Sequence, residues 1–259
     1  MPSITLPDGR TLNLFITGTG TPVVLLHGYL DSHKSFFRLF EALGATHKLY
    51  APDQRGHGDS APAPDYAVSG FVADAIALLE ALTLGPVHLG GHSLGGIVAQ
   101  RVAESRPDLV KSLALISTAR TAHGNAALLD AAPLLAALDS AVPPALAREF
   151  QASTSFTTLP ADIFQTYLDE TAKVSLDVWQ RALHGLVADN HDTSHPPQHP
   201  TLIIWGAKDG LFTITDQHTL RAAYPNATWL TLPETGHAPN WERPEQTAQA
   251  LLAFWAAHA

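Results

Sequence analysis

Gly91-His92-Ser93-Leu94-Gly95-Gly96 is the stretch that decides the fold of this chain. A short and largely apolar segment, residues 87–90, precedes it and is typical of a buried strand. The apolar side chains of residues 94–102 recur at the spacing of one helix face. These patterns predict a sharp strand-to-helix turn with a serine at its tip, between glycines that leave room for the neighbouring backbone. Such a turn raises the serine hydroxyl above the sheet and directs free helix N–H groups at the same point.

A glycine-rich turn with an incidental serine would have the same six residues, so the rest of the chain must decide. Segments typical of strands alternate with segments typical of helices on both sides of this turn. The predicted strands are residues 3–6, 10–16, 22–26, 47–52, 87–90, 110–117, 201–205 and 228–232. The alternation predicts an α/β fold: a mostly parallel eight-stranded sheet with helices on both faces.

The alternation stops between residues 120 and 198. That stretch is rich in Ala and Leu, is interrupted by prolines, and contains no segment typical of a strand. We expect a helical cap over residues 120–198, inserted between the sixth and seventh strands. The core then comprises residues 1–119 and 199–259. A separate domain is the alternative, but the insert is short and is enclosed by core segments.

Two polar residues follow later strands at their carboxyl ends, where the functional groups of parallel sheets lie. Asp209 follows the strand at 201–205, and His237 follows the strand at 228–232. Together with Ser93 they occur along the chain in the order serine, acid, histidine. These residue types in this order are typical of a nucleophile, an orienting acid and a base. Asp209 could instead cap the next helix, and His237 could be a structural loop histidine. Glu234 is a rival acid, although it lies in the same loop as His237.

A serine nucleophile that attacks a carbonyl also needs two N–H donors for the developing oxyanion. The predicted turn supplies the backbone N–H of Leu94. We assign the second donor to the backbone N–H of Tyr29, because Gly28 allows the loop after residues 22–26 to turn inward. The Tyr29 side chain is also a candidate for the wall of a substrate pocket.

The chain resembles the α/β-hydrolase superfamily, in the branch of small esterases, lactonases, cofactor-free haloperoxidase-type hydrolases and carbon–carbon bond hydrolases. The matching pieces are His27-Gly28-Tyr29, Asp53-Gln54-Arg55-Gly56-His57-Gly58-Asp59-Ser60, Gly91-His92-Ser93-Leu94-Gly95-Gly96, Gly206-Ala207-Lys208-Asp209 and Gly236-His237-Ala238. The resemblance implies Ser93 as nucleophile, His237 as base and Asp209 as its orienting acid, with no cofactor. It also implies that the loop at 53–60 is a buttress. Relatives with aspartate at the turn form an alkyl ester, which Ser93 disfavours.

Composition limits the partners of the chain. Its 259 residues carry a formal charge of −9, which argues against nucleic acid and an anionic membrane as partners. There is no cysteine, which excludes disulfides and thiolate chemistry. No apolar run is long enough for a membrane-spanning helix, and the first residues have no signal-peptide pattern. We expect a cytoplasmic protein, and a homo-oligomer is left open.

A histidine series near the end of the insert is a candidate metal site. His191, His195 and His199 recur at a spacing of four residues, with Asp192 beside the first. Pro196 breaks any helix that would align them. We therefore expect a solvated loop and no metal.

Substrate selection is expected in the cap, because the core supplies the chemistry and the insert closes the pocket. The candidate substrate contacts are Tyr29, Phe156, Tyr167, Trp179 and Phe212. The expected substrate is a small-molecule, largely apolar ester or lactone, cleaved through an acyl-enzyme. The alternatives are a carbon–carbon bond hydrolase or perhydrolase with the same three residues, and a ligand receptor whose triad is slow.

Overall fold

The computed structural model describes residues 2–259, so Met1, the first residue of the predicted core, lies outside the described part. A single eight-stranded sheet has the strand order β1-β2-β4-β3-β5-β6-β7-β8. The strands are β1 Ser3–Thr5, β2 Thr11–Thr17, β3 Thr21–Leu26, β4 His47–Pro52, β5 Val87–His92, β6 Val110–Ile116, β7 Thr201–Gly206 and β8 Thr228–Leu232. The pairs β1–β2 and β2–β4 are antiparallel, and the pairs from β4 through β8 are parallel. The predicted mostly parallel sheet is confirmed.

Helices cover both faces of this sheet. They are α1 Phe37–Gly44, α2 Val68–Leu82, α3 Leu94–Ser105, α4 Ala126–Ala136, α5 Pro144–Ser153, α6 Ala161–Thr171, α7 Leu176–Val187, α8 Ile214–Ala223, α9 Pro239–Glu242 and α10 Pro244–Ala257. Short 3₁₀ turns cover His33–Phe36 and Pro107–Leu109.

The two faces of the sheet are separated by the alternation of side chains along each strand. Val24 and Leu26 of β3 belong to an apolar cluster with residues of α2 and α3. Val23 and Leu25, one position away on the same strand, belong to a second cluster with residues of α1 and α10. All four side chains are at most 1% exposed. A strand covered on both faces therefore has the continuous apolar sequence seen at residues 22–26.

Four helices, α4 to α7, lie between β6 and β7 in the chain. We call this stretch the helical insert. Side chains cap two of its helices: Asn125 accepts from the N–H of Leu128, and Ser175 accepts from the N–H of Val178. Buried residues of α7 share the apolar cluster that contains α2 and α3. The boundaries of a cap at residues 120 and 198 stay a prediction.

Among the described residues, no helix has the length and apolar character needed to cross a membrane.

Candidate active site

Ser93 lies between the end of β5 and the start of α3, with φ 53° and ψ −119°. A positive φ is rare for a residue with a side chain and indicates a strained turn. The two flanking glycines are required by close backbone contacts. A Cβ on Gly95 would lie 2.0 Å from the carbonyl oxygen of Leu26, and one on Gly91 would lie 2.1 Å from that of Gly95. The local sequence thus folds as a tight turn that presents the serine.

His237 and Asp209 meet beside this turn although they are far apart in the chain. The Nδ1 atom of His237 lies 2.9 Å from Oδ2 of Asp209, and both side chains are buried. The other oxygen of Asp209 accepts from the N–H groups of Leu211 and Phe212, at 2.8 and 3.0 Å. Asp209 therefore holds its own loop and orients the imidazole, while Thr213 is the residue that caps α8. An Nδ1–H donated to Asp209 leaves Nε2 as the basic nitrogen of the neutral ring.

The rival residues lie elsewhere. Glu234 is exposed, and its nearest basic group is Lys208, with Nζ 3.6 Å from Oε1. His92 is buried next to Ser93, and its Nε2–H donates a 2.8 Å hydrogen bond to the carbonyl oxygen of His237. Burial lowers the pKa of His92 to about 3, so its ring is neutral. His92 supports the backbone of the histidine loop.

One cavity brings the predicted groups together. Ser93 and His237 both line it, together with Tyr29, Leu94 and Phe212. The imidazole of His237 has its hydrogen bond to Asp209 and none to the Ser93 hydroxyl within the described chain. Serine–histidine hydrogen bonds are often long without substrate and shorten when it binds.

The loop after β3 approaches the serine closely. A Cβ on Gly28 would lie 3.2 Å from Cβ of Ser93 and 3.0 Å from Nδ1 of His92. Neither Tyr29 nor Leu94 donates its backbone N–H to a backbone carbonyl of the described residues. Two uncommitted donors therefore flank Ser93. The Tyr29 hydroxyl donates to the carbonyl of Trp179 at 2.5 Å, which ties this loop to α7.

The predicted substrate contacts divide into two groups. Tyr29, Tyr167 and Phe212 line the cavity that contains Ser93. Phe156 lies outside it: its ring is 50% exposed and packs under the ammonium group of Lys208. Trp179 is also absent from the wall of this cavity, and its ring packs edge-on against that of Tyr29. Both remain predictions as substrate contacts.

Several wall residues have no recognisable sequence signal. The insert contributes Leu128, Phe150, Gln151, Thr154 and Leu186 to the cavity. Apolar residues are frequent throughout the insert, so periodicity alone does not single out the ones that face the site.

Glu242 is a further residue that sequence reasoning missed. Its buried carboxylate accepts from the N–H groups of Gly236, Phe156 and Thr157 and from the Thr157 hydroxyl, at 2.7 to 3.0 Å. One carboxylate thus joins the His237 loop to the insert. Its sequence context has no signal for this role, since polar residues such as Asn240, Arg243 and Glu245 surround it in the chain.

The loop at 53–60 has the structure of a buttress. Asp53 is fully buried and accepts hydrogen bonds from the backbone and ring of His33, from Asn13 and from the backbone of Asp59. Burial raises the pKa of Asp53, but the neighbouring His33 and His27 rings and the N–H of Asp59, acting together, hold it well below its usual range. Arg55 makes a buried ion pair with Asp74 at 2.8 Å. Neither Arg55 nor His57 lines the cavity of Ser93.

The histidine series near residue 195 forms no metal-binding group, and none occurs elsewhere in the described chain. His191 contacts Glu104 at 2.9 Å, and His199 contacts the carbonyl of Pro107.

Comparison with known proteins agrees with the fold. A family model described as the alpha/beta hydrolase fold matches residues 21–244. The chain is 32% identical to the dihydrolipoyllysine-residue acetyltransferase component of the acetoin cleaving system of Pseudomonas putida, over 96% of this chain and 68% of that protein. It is 30% identical to pimeloyl-acyl-carrier-protein methyl ester esterase of Chromobacterium violaceum, over 93% of this chain and 97% of that protein. A thermophilic esterase from Thermogutta terrifontis superposes with a TM-score of 0.86 at 23% identity, covering 100% and 99% of the two chains. The chain therefore belongs to the family with the alpha/beta hydrolase fold.

Proposed function

We propose that this protein is a serine hydrolase that cleaves an uncharged, largely apolar carboxylic ester or lactone through an acyl-enzyme. One observation carries the proposal: the buried His237–Asp209 pair, 2.9 Å apart, lies at the same cavity as a serine in a strained strand-to-helix turn. A serine hydroxyl is a weak nucleophile at neutral pH unless an oriented base is within reach. The pair supplies that base and its orientation.

The reaction has two steps. In the first, Nε2 of His237 takes the proton of the Ser93 hydroxyl as its oxygen attacks the ester carbonyl. His237 then gives the proton to the leaving alcohol, and an acyl-serine remains. In the second, His237 activates water, which cleaves the acyl-serine and regenerates the hydroxyl. Asp209 keeps the imidazole in the tautomer that has its basic nitrogen toward the serine.

The backbone N–H groups of Tyr29 and Leu94 form the oxyanion hole. Their lack of backbone acceptors and their position at the wall beside Ser93 support this role. Preorganised donors of this kind stabilise the negative charge that develops on the carbonyl oxygen.

The wall of the cavity supports an uncharged substrate. No Lys or Arg side chain is among its lining residues within the described chain. A carboxylate substrate would therefore enter an apolar site without a cationic partner, which is costly. An ester substrate is also supported by the 30% identical relative, which is named as a methyl ester esterase.

The helical insert acts as the cap of this pocket. Phe150, Gln151, Tyr167 and Leu186 all come from the insert and all line the cavity of Ser93. Hydrogen bonds from Tyr29 to Trp179 and from Thr157 to Glu242 hold the insert on the core. Substrate size is then selected by this wall, while the core carries out the reaction.

Pre-steady-state hydrolysis of p-nitrophenyl acetate tests the proposal. The wild type should release about one equivalent of nitrophenol in a burst, and Ser93→Ala should abolish both burst and turnover. A fluorophosphonate should label the wild type and not Ser93→Ala. Ser69→Ala is the matched control, because Ser69 is exposed on α2, and it should behave as the wild type. Full activity of Ser93→Ala would exclude the mechanism.

A substrate panel separates the remaining alternatives. Short esters and lactones should turn over faster than vinylogous diketones, which a carbon–carbon bond hydrolase would prefer. A burst without turnover on every substrate would instead indicate a ligand receptor with a slow triad.

A further inference from the structure

Asp31 is a buried carboxyl group in the wall of the cavity and has no part in the mechanism above. It is 3% exposed and lines the cavity that contains Ser93 and His237. Its Oδ1 accepts from the N–H of Ser32 at 2.9 Å. Its Oδ2 is buried and has no hydrogen-bond partner among the described residues. An unpaired buried carboxyl oxygen is costly, so a bound group that supplies a partner for Oδ2 would be stabilised here.

The surroundings supply no cation for Asp31. Glu170, on α6, is 1% exposed and already binds Lys34 at 2.6 Å and Lys173 at 3.2 Å. Tyr167, also on α6, lines the same cavity and contributes an aromatic ring. The charged groups that act on Asp31 are the carboxylates of Glu170 and Asp53, and both are negative. An anionic group at Oδ2 would therefore be repelled.

Asp31 is poised between its two protonation states at neutral pH. Burial raises the pKa of Asp31 to about 7; Ser35 and the N–H of Ser32 oppose the rise, and the carboxylates of Glu170 and Asp53 add to it. The protonated carboxyl both donates and accepts a hydrogen bond, and the ionised one accepts. A hydroxyl group complements both forms, because it donates and accepts in turn.

We propose that Asp31 is a specificity-determining residue that binds a hydroxyl group on the substrate, at a distance from the carbonyl that Ser93 attacks. This inference rests on the proposed ester hydrolysis and adds to it the chemical class of the substrate: a hydroxylated ester or lactone. The substrate hydroxyl supplies the partner that Oδ2 lacks. The apolar wall formed by Leu128, Phe150 and Leu186 encloses the carbon chain between the two polar ends.

The expected selectivity follows from the cost of an unpaired polar group. A plain ester leaves Oδ2 without a partner, and a hydroxylated ester satisfies it. We expect a preference of about 10- to 100-fold in kcat/KM for the hydroxylated ester of a matched pair. The negative charges of Glu170 and Asp53 would attract an ammonium group in place of the hydroxyl. Its desolvation in this apolar cavity costs more than that attraction returns, so we expect it to bind less well.

Matched p-nitrophenyl esters test the inference. The probes are the p-nitrophenyl esters of butanoic, 3-hydroxybutanoic and 3-aminobutanoic acid. Ethyl butanoate and 2-hydroxyethyl butanoate form a second pair, which differs only by a hydroxyl in the alcohol half. They are compared in wild type, Asp31→Asn and Asp31→Leu. Asp31→Leu should reduce the hydroxyl preference, measured as the ratio of the two kcat/KM values, to about one, and Asp31→Asn should retain part of it. Asp139→Asn is the control, because Asp139 is exposed in the insert, and it should keep the wild-type ratio.

The outcomes separate this inference from the proposed function. Hydrolysis of the plain esters with no hydroxyl preference in either pair overturns the role of Asp31 and leaves ester hydrolysis intact. A preference for the aminobutanoate overturns the choice of hydroxyl. No hydrolysis of any ester and no labelling of Ser93 by a fluorophosphonate overturns the proposed function, and the role of Asp31 with it. If Asp31→Leu does not fold, the wild-type ratios and their change in Asp31→Asn decide the question.

Discussion

The backbone N–H of His237 donates a 2.8 Å hydrogen bond to the carbonyl oxygen of Thr154, at the end of α5. The loop that carries the proposed base is thus fastened to the helical insert and not to the sheet alone. The Tyr29 hydroxyl makes a second tie, to the Trp179 carbonyl on α7. Because the insert holds both the His237 loop and the loop that carries Tyr29, disturbing its docking should change the proposed catalysis as well as substrate choice.

Glu242→Ala should show this coupling directly. The substitution leaves the buried N–H of Gly236 and the N–H groups of Phe156 and Thr157 without their acceptor. Each such loss costs about 1–3 kcal/mol, so we expect a fall of at least about 2 kcal/mol in the free energy of unfolding. We also expect a lower kcat on short esters, because the His237 loop loses its anchor. Chemical denaturation and steady-state kinetics measure the two effects.

The control for this prediction is Glu245→Ala, which removes an exposed carboxylate from the first turn of the neighbouring helix α10. It should change stability by less than about 0.5 kcal/mol. Equal effects of the two substitutions would mean that Glu242 does not couple the loop to the insert.

Asp209→Asn and Glu234→Gln separate the two candidate acids. Asp209 contacts the His237 ring, whereas Glu234 is exposed beside Lys208. An amide at position 209 favours the wrong tautomer of the imidazole. We expect a loss of about 10³–10⁴ in kcat on p-nitrophenyl acetate for Asp209→Asn, with the fold retained. Glu234→Gln should stay within about twofold of the wild type, since substitutions at exposed positions away from the site have small effects. A greater loss in Glu234→Gln would reverse the assignment.

Gly95→Ala and Gly210→Ala test the steric requirement of the serine turn. A Cβ at 95 would lie 2.0 Å from the carbonyl oxygen of Leu26. The backbone of β3 is packed on both faces and cannot move away to relieve this clash. A Cβ at 210 would meet no atom within 4 Å. We expect Gly95→Ala to be insoluble or inactive and Gly210→Ala to be soluble and active. Soluble expression, circular dichroism and ester hydrolysis measure the difference. A fully active Gly95→Ala would mean that the turn has room that the structure does not contain.

The serine turn, Asp209 and His237 could be predicted from sequence because each depends on local rules. The turn requires glycines at fixed positions around Ser93. The other two residues follow strands that can be recognised in the sequence by their alternating or continuous apolar residues. The carboxyl ends of parallel strands then meet by topology, so three distant positions converge without any knowledge of side-chain contacts.

The contacts between the insert and the core could not be predicted in the same way. Glu242 and Thr154 act through tertiary contacts that have no fixed spacing in the chain. The prediction of Phe156 and Trp179 as substrate contacts rests on their being aromatic residues of the insert, but an aromatic side chain does not determine which way its segment faces. Packing decides which face of a helix is buried. In a stretch as rich in Ala and Leu as this one, several faces are equally apolar, so the sequence pattern does not select one of them.

Lowering the pH below neutrality should destabilise the protein, because its native state buries histidine rings in their neutral form. Burial lowers the pKa of His27 and His92 to about 3 and that of His57 and His88 to about 4. In the unfolded chain the pKa of histidine is about 6.5, so between about pH 6.5 and 4 the unfolded state binds more protons than the native state. Stability from these four groups is complete above about pH 6.5 and is lost as the pH falls.

Asp31 opposes this trend, because burial raises its pKa to about 7 and its native state binds a proton that the unfolded state releases above about pH 4. Because Asp31 is one group and the buried histidines are four, the net effect of acid is to destabilise the native state. We expect the urea midpoint to fall steadily from about pH 7 to about pH 4.5. His88→Gln removes one of the four groups at a site remote from Ser93, where His88 packs near Trp255. That variant should have a shallower dependence on pH than the wild type, whereas Asp31→Asn should have a steeper one. A urea midpoint that stays constant or rises as the pH falls over this range would contradict the neutral, buried state of these rings.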